Sequence, residues 1–408
     1  MPEKPVLLTT PPQGPDVFAA DDSANHQAQA AILLSLARQF HVARRWLGTA
    51  GVQARAILGP EPLPAGTSQS WKQARKELHE SLTLDAFPVP LLKIEADDLA
   101  PLVSLSSAKA AATMTALKAP EEAGAAFDAK RTIRLARKCF AEPVLPVARD
   151  LVLSCLGHPS ELVRVAAAIA AFPVTVFTQP LAATLEKATR SRDQMVRELA
   201  LYALGIFDPS NPVLQKFLLP RRRGKGRRAH TSLLVHGTWA RTETWWQPQG
   251  DFHSYVLENV RKDLYSAPDR YDWTGAYSDT ARDVAAGDLV DWFGAHAGPA
   301  APSIIAHSHG GNVAMLATWK GLTIDTLVLL SCPVHTNKYM PNFSNVSRVL
   351  SLHVTNDYVI LLDGGRQRFN HPKIKEWVLP IWFNHSATHE PDVWIQYDVA
   401  EQWNLVLV

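Results

Sequence analysis

Two patterns of apolar and polar positions divide the chain. From about residue 26 to residue 218, apolar side chains recur at helical spacing, Ala and Leu dominate and β-branched runs are few, which predicts helices. Within this part, LVLSCLGHPSELVRVAAAIAAF (151–172) and TLEKATRSRDQMVRELALYALGIF (184–207) read as two copies of one unit. Val163-Arg164 recurs 33 residues later as Val196-Arg197, and each pair opens an Ala-rich helix after a short polar turn. Small residues let stacked helices approach closely, and a lone helical hairpin cannot bury its apolar face. A repeating stack is therefore expected, with a non-repetitive helical bundle as the alternative.

Past residue 230 the pattern changes. TSLLVHG, RYDWTGAY, PSIIAHS, DTLVLLS, SLHVT and LPIWF are short apolar runs, separated by segments with helical patterning such as DTARDVAAGDLVDWF and GNVAMLATWKGL. Strands alternating with helices predict a mostly parallel sheet covered on both faces, here of about six strands. Between the two parts lies LPRRRGKGRRAH, with six Arg or Lys. A run of like charges repels itself and stays solvated, so it reads as a linker. The expected organisation is a polar N-terminal tail (1–25), an all-α helical domain (26–218), a basic linker (219–230) and an α/β domain (231–408).

Composition narrows the classes. A chain of 408 residues, 47% hydrophobic and 20% charged, is long enough for two domains with cores of their own. Its net charge of +2 is too small to argue for nucleic acid as a partner. The first twenty residues hold no apolar run of signal-peptide length, and nothing later approaches a membrane-spanning run, so neither a cleaved signal nor a transmembrane span is expected. Cys139, Cys155 and Cys332 are scattered and odd in number. That indicates neither a disulfide framework nor a zinc ribbon and leaves a reducing cytoplasm as the expected location.

The chemistry concentrates in SIIAHSHGGNVAML (303–316). PSIIA reads as a buried strand and GNVAMLATW as a helix, which puts Ser308 at the turn between them. Ala306-His307-Ser308-His309-Gly310 is the G-x-S-x-G pattern with Ala in the first glycine position. The demand is steric: a strand turning sharply into a helix strains the serine and tolerates only small neighbours. His307 and His309 could instead be metal ligands, completed by His385 and His389. An i, i+2 pair across a sharp turn points its rings apart, however, and Pro391 argues against a helix at His385. No metal and no cofactor are expected.

Other polar residues follow apolar runs in a definite order. LLVHGTWA (233–240) is a strand ending in His-Gly, SLHVTNDYVIL (351–361) a strand ending in a polar turn at Asp357, and LPIWFNHSATHEPDVW (379–394) a strand followed by His385. Asp363 competes with Asp357, which is favoured because it directly ends its strand. His389 competes with His385, which is favoured as the first residue able to reach back over the sheet edge. The Trp-rich stretch WARTETWWQPQGDFHSY (239–255) is a candidate wall for an acyl pocket, with plain core packing as the alternative.

With Ser308, Asp357 and His385 in that chain order, residues 231–408 resemble the lipase/esterase branch of the α/β-hydrolase superfamily. YDWTGAYSDTARDVAAGDLVDWF (271–293) is similar to a strand-helix segment found upstream of the nucleophile in bacterial lipase-like hydrolases, and residues 141–208 resemble HEAT-like repeats. The resemblance implies an α/β-hydrolase fold of reduced strand number behind a helical-repeat domain. It also implies an acyl-enzyme on Ser308, His385 as base, Asp357 as its partner, and an oxyanion hole from the backbone N–H groups of His309 and Thr238, with Trp239 as a substitute for the latter. The implied activity is hydrolysis of a small-molecule or lipid ester. Thioesterase, amidase and acyltransferase chemistry share the same triad. The other function class in view is a protein-interaction module, in which the helical domain binds a protein partner and the hydrolase-like domain is a scaffold.

Overall fold

The computed structural model describes residues 9, 14–57, 91–93, 127–175, 178–218, 232–296 and 300–405. The basic linker and residues 1–8 and 10–13 of the N-terminal tail fall outside these residues. Two compact units divide the chain, Met1–Ala203 and Leu204–Val408.

The first unit is helical in its described residues. A long helix, α1 (Ser23–Ile57), precedes α2 (Ala129–Ala141), α3 (Leu145–Ser154), α4 (Glu161–Ala171), α5 (Thr178–Ala188) and α6 (Gln194–Phe207). Every residue of α4 except its first and Arg164 is buried, and seven of its eleven residues are Ala or Val of small volume, which lets neighbouring helices close in around it. The duplicated sequence unit has a structural counterpart. Arg164 Nη1 donates to the carbonyls of His158 (2.5 Å) and Pro159 (2.7 Å) in the turn before α4. Arg197 Nη1 donates to Ser191 (3.0 Å) and Arg192 (3.1 Å), the positions 33 residues later, in the turn before α6. Each arginine thus takes up carbonyls that the turn would otherwise leave without an intrachain donor.

The second unit is built on one sheet of five parallel strands in sequential order: β1 (Ser232–Val235), β2 (Ser303–His307), β3 (Ile324–Leu330), β4 (Val346–Thr355) and β5 (Ile374–Trp382). β1 and β2 are buried along their whole length, as continuous apolar runs covered on both faces should be. Helices α7 (Asp251–Asn259) and α8 (Asp279–His296) lie between β1 and β2, α9 (His309–Trp319) follows β2, α10 (Tyr358–Asp363) follows β4 and α11 (Pro391–Gln396) follows β5. The connection from β3 to β4, residues 331–345, contains no helix.

The predicted α/β class is therefore observed, with one correction: RYDWTGAY is not a strand, and the sheet has five strands where about six are expected. The apolar residues of that run are buried by a different device. Trp273 Nε1 donates to His236 O (2.8 Å), Tyr271 OH donates to Ala285 O (2.8 Å), and Gly275 at φ +70° breaks the extended path. The segment is held to the end of β1 and to α8 by side-chain hydrogen bonds, so its backbone is not needed for a sheet ladder.

Candidate active site

All five strands run parallel, so their carboxyl ends share one edge, where ligands bind in open α/β sheets. Backbone strain collects there. Ser308 (φ 54°) follows β2, Ser331 (44°) follows β3, Asn356 (50°) follows β4 and Phe383 (67°) follows β5, while Trp239 (60°) lies four residues past β1. Non-glycine residues rarely hold positive φ, and each costs on the order of 1 kcal/mol or more unless its surroundings enforce it.

Ser308 is the buried pivot of this edge. Its N–H donates to Leu330 O (2.8 Å) and its carbonyl accepts from Gly311 N (2.9 Å), which fixes the turn from β2 into α9. The glycines around it leave no room for a side chain. A Cβ on Gly237 would stand 2.7 Å from Ser308 Cβ, one on Gly310 2.5 Å from His236 O, and one on Gly311 2.6 Å from Cys332 Sγ. Ala306 is fully buried and fits. The small-residue pattern thus has the steric cause expected of it.

Asp357 and His385 meet. His385 Nδ1 lies 2.7 Å from Asp357 Oδ2, and both side chains are buried. Asp357 also caps α10, its Oδ1 accepting from Val359 N (3.0 Å) and Ile360 N (3.2 Å), so the carboxylate cannot swing away. With Nδ1 donating to the carboxylate, Nε2 is the basic nitrogen of the neutral ring. The serine segment reaches the same place: His307 Nε2 lies 3.3 Å from His385 O, and the two rings stand 4.6 Å apart. Burial, with His389 and His385 nearby, holds His307 well below the usual histidine range, so it is neutral and Nε2–H is the donor.

The loop after β1 is pinned beside the serine. His236 Nδ1 donates to Gly237 O (2.8 Å), His236 O accepts Trp273 Nε1, and the Arg241 guanidinium grips Asp272 through Nε and Nη2 (both 2.9 Å). Trp239 N–H donates to Gly275 O (2.9 Å) and is thereby engaged within the loop. Thr238, buried, follows Gly237, on which a Cβ would stand 2.7 Å from Ser308 Cβ, and His309 directly follows Ser308 as the first residue of α9. The N-terminal N–H groups of a helix have no intrahelical acceptor and favour negative charge.

The alternative residues lie close by with partners of their own, the His389 ring standing 4.6 Å from that of His307. His389 stacks on Trp245 (centroids 4.0 Å apart, planes 9° apart), and burial pushes it down to about 3. Trp245 and Trp246 are themselves buried. Asp363 bonds to His309 Nε2 (3.0 Å), Tyr277 OH (2.7 Å) and His335 Nε2. His307 and His309 serve different networks, one toward His385 and His389, the other toward Asp363. Among the described residues, no group of three or more His, Cys, Asp or Glu side chains is arranged to hold a metal ion. Sequence reasoning missed Asp272, Tyr277, Asn312 and His335, whose partners lie 28 to 86 residues away or within a helix turn that carries no motif.

Residues 233–404 match the alpha/beta hydrolase family. The C-terminal part is an alpha/beta hydrolase domain. The match spans β2 to β5, all of β1 except Ser232, and the segments carrying Ser308, Asp357 and His385. Compared with curated proteins, the chain has no match. Among the described residues, no helix is long and apolar enough to cross a membrane.

Proposed function

We propose that the hydrolase domain, read as residues 231–408, is a serine hydrolase that cleaves carboxylic esters through an acyl-enzyme on Ser308. The observation that carries this reading is the buried His385–Asp357 pair at 2.7 Å, on the same sheet edge as a serine held at φ 54°. Ser308 Oγ attacks the ester carbonyl while His385 takes its proton, and Asp357 holds the imidazole and stabilises its charged form. The N–H groups of His309 and Thr238 receive the oxyanion, each worth roughly 3 kcal/mol in acyl-transfer enzymes. His385 then protonates the departing alcohol, and water hydrolyses the acyl-enzyme by the same path.

The short connection between β3 and β4 offers no helical lid, which favours a soluble small-molecule ester over a lipid aggregate as substrate. Cys139, Cys155 and Cys332 are free and buried, and burial pushes the thiols of Cys139 and Cys155 up to about 11 and 12, which makes them poor nucleophiles. A second reading draws on the first unit. The matching hydrogen bonds of Arg164 and Arg197 support HEAT-like repeats over residues 141–208, and a helical stack of that kind serves as a protein-binding surface.

The test is a series of p-nitrophenyl esters of increasing acyl length, with a thioester and an anilide alongside, run on wild type and Ser308→Ala. The expected result is ester turnover that disappears in the variant. Faster turnover of the thioester or anilide would reassign the reaction class. No turnover on any member would favour the binding reading.

A further inference from the structure

A second histidine–carboxylate unit lies on the other side of Ser308. Asp363 closes α10 with its side chain almost fully buried, and its two oxygens gather donors from three separate segments. Oδ1 accepts His309 Nε2 (3.0 Å) from the first residue of α9 and Tyr277 OH (2.7 Å) from the loop before α8. Oδ2 takes His335 Nε2 from the loop after β3. The other ring nitrogen of His309 is held as well: Asn312 Nδ2 donates to Nδ1 (3.0 Å), and Asn312 Oδ1 in turn accepts Cys332 Sγ–H (3.0 Å). With both nitrogens engaged, the His309 ring can neither flip nor rotate.

We propose that Asp363 is a positioning residue: by locking the His309 ring it fixes the His309 backbone N–H in the direction the ester oxyanion requires. This rests on the serine-hydrolase reading above. His309 is the residue directly after Ser308, and its N–H begins α9, so no helical hydrogen bond aims it. Its side-chain rotamer and backbone dihedrals are coupled, so an anchored ring restrains the peptide plane before it. A stabilising donor must be aimed before charge develops if it is to cost no reorganisation during the reaction.

The charge distribution fits this role. Burial pushes His309 down to about 4, so the ring is a neutral Nε2–H donor. Burial would raise Asp363, but His309 and His335 hold it well below the usual carboxylate range, so it stays ionised. A buried carboxylate near a developing oxyanion opposes it electrostatically, and an apolar residue would avoid that cost. The Arg282 guanidinium, close enough to feel Asp363, offsets part of it. Retaining the charge makes sense where directional acceptance from three donors is what the site needs.

The experiment compares full-length wild type, Asp363→Asn and His309→Ala on the best ester of the series and on a trifluoromethyl ketone of the same acyl group, whose adduct mimics the oxyanion. His309→Ala keeps the backbone N–H and removes only its anchor. The expected result in both variants is a 10- to 100-fold loss of kcat with KM changed less than threefold. The ketone should weaken by the same factor as kcat/KM, and the acidic limb of the pH profile, set by His385, should stay in place. Either variant keeping kcat/KM within twofold of wild type, or losing it without weakening the ketone, overturns the proposal. If Asp363→Asn fails to fold, His309→Ala decides alone. A wild type without Ser308-dependent turnover instead refutes the serine-hydrolase reading itself.

Discussion

Gly237 shows how little room surrounds Ser308. A methyl group there would stand 2.7 Å from Ser308 Cβ, closer than such atoms approach, and a tight 3.2 Å from His307 O. Either the loop after β1 or the turn after β2 must then move, and both carry a proposed oxyanion donor. Displacement of about 1 Å costs on the order of 10²-fold in well-positioned sites. Gly237→Ala is therefore expected to lower kcat/KM by about 10²-fold or more while the domain remains folded, as steady-state kinetics beside a thermal melt will show; an unchanged kcat/KM would mean that neither segment aims at the reacting oxygen. At this scale the sequence was most informative where a residue type is forced by local geometry. Small residues around Ser308 could be read because the sharp turn excludes anything larger. Asp363 could not be assigned its partners, because His309 lies 54 residues from it and Tyr277 86, and nothing local marks either contact.

Among the elements, the aliphatic runs became strands, as did LPIWF at the end of β5, whereas RYDWTGAY did not. The central Leu, Val and Ile residues of TSLLVHG, PSIIAHS and DTLVLLS have no polar ends, so the backbone there is paired by the ladder. RYDWTGAY looks equally apolar, yet its Tyr and Trp carry hydrogen-bonding tips that anchor a loop to His236 O and Ala285 O. Periodicity alone could not separate these cases. The consequence is functional, since this loop holds Trp239 through Gly275 O and braces Asp363 through Tyr277. In the helical unit the 33-residue spacing was legible because Val-Arg opens both helices, and the arginines repeat the same carbonyl contacts.

For the molecule as a whole, the burial of neutral histidines ties stability to pH. His309 and His389 are pushed down to about 4 and 3 by burial, and His307 well below the usual histidine range. Their unfolded forms bind protons near pH 6.5, so between that value and the folded values the unfolded chain binds more protons and stability falls with pH. Each group contributes about 1 kcal/mol per pH unit over that window. Carboxylates held low, such as Asp363, add their loss only below about pH 4. The unfolding temperature of the hydrolase domain is expected to be flat above pH 7 and to drop on the order of 10 °C between pH 7 and pH 5. Calorimetry in matched ionic strength checks this, and a flat profile over that range would show that these rings are solvated.

The account turns on whether Ser308 is a nucleophile. The most direct measurement is intact-mass analysis of the full chain after exposure to a fluorophosphonate at pH 7, with peptide mapping of the product. One adduct is expected, on Ser308, with none on Ser308→Ala and slowed labelling in Asp357→Asn. A chain that stays unmodified, or that labels equally in Ser308→Ala, would contradict the assignment.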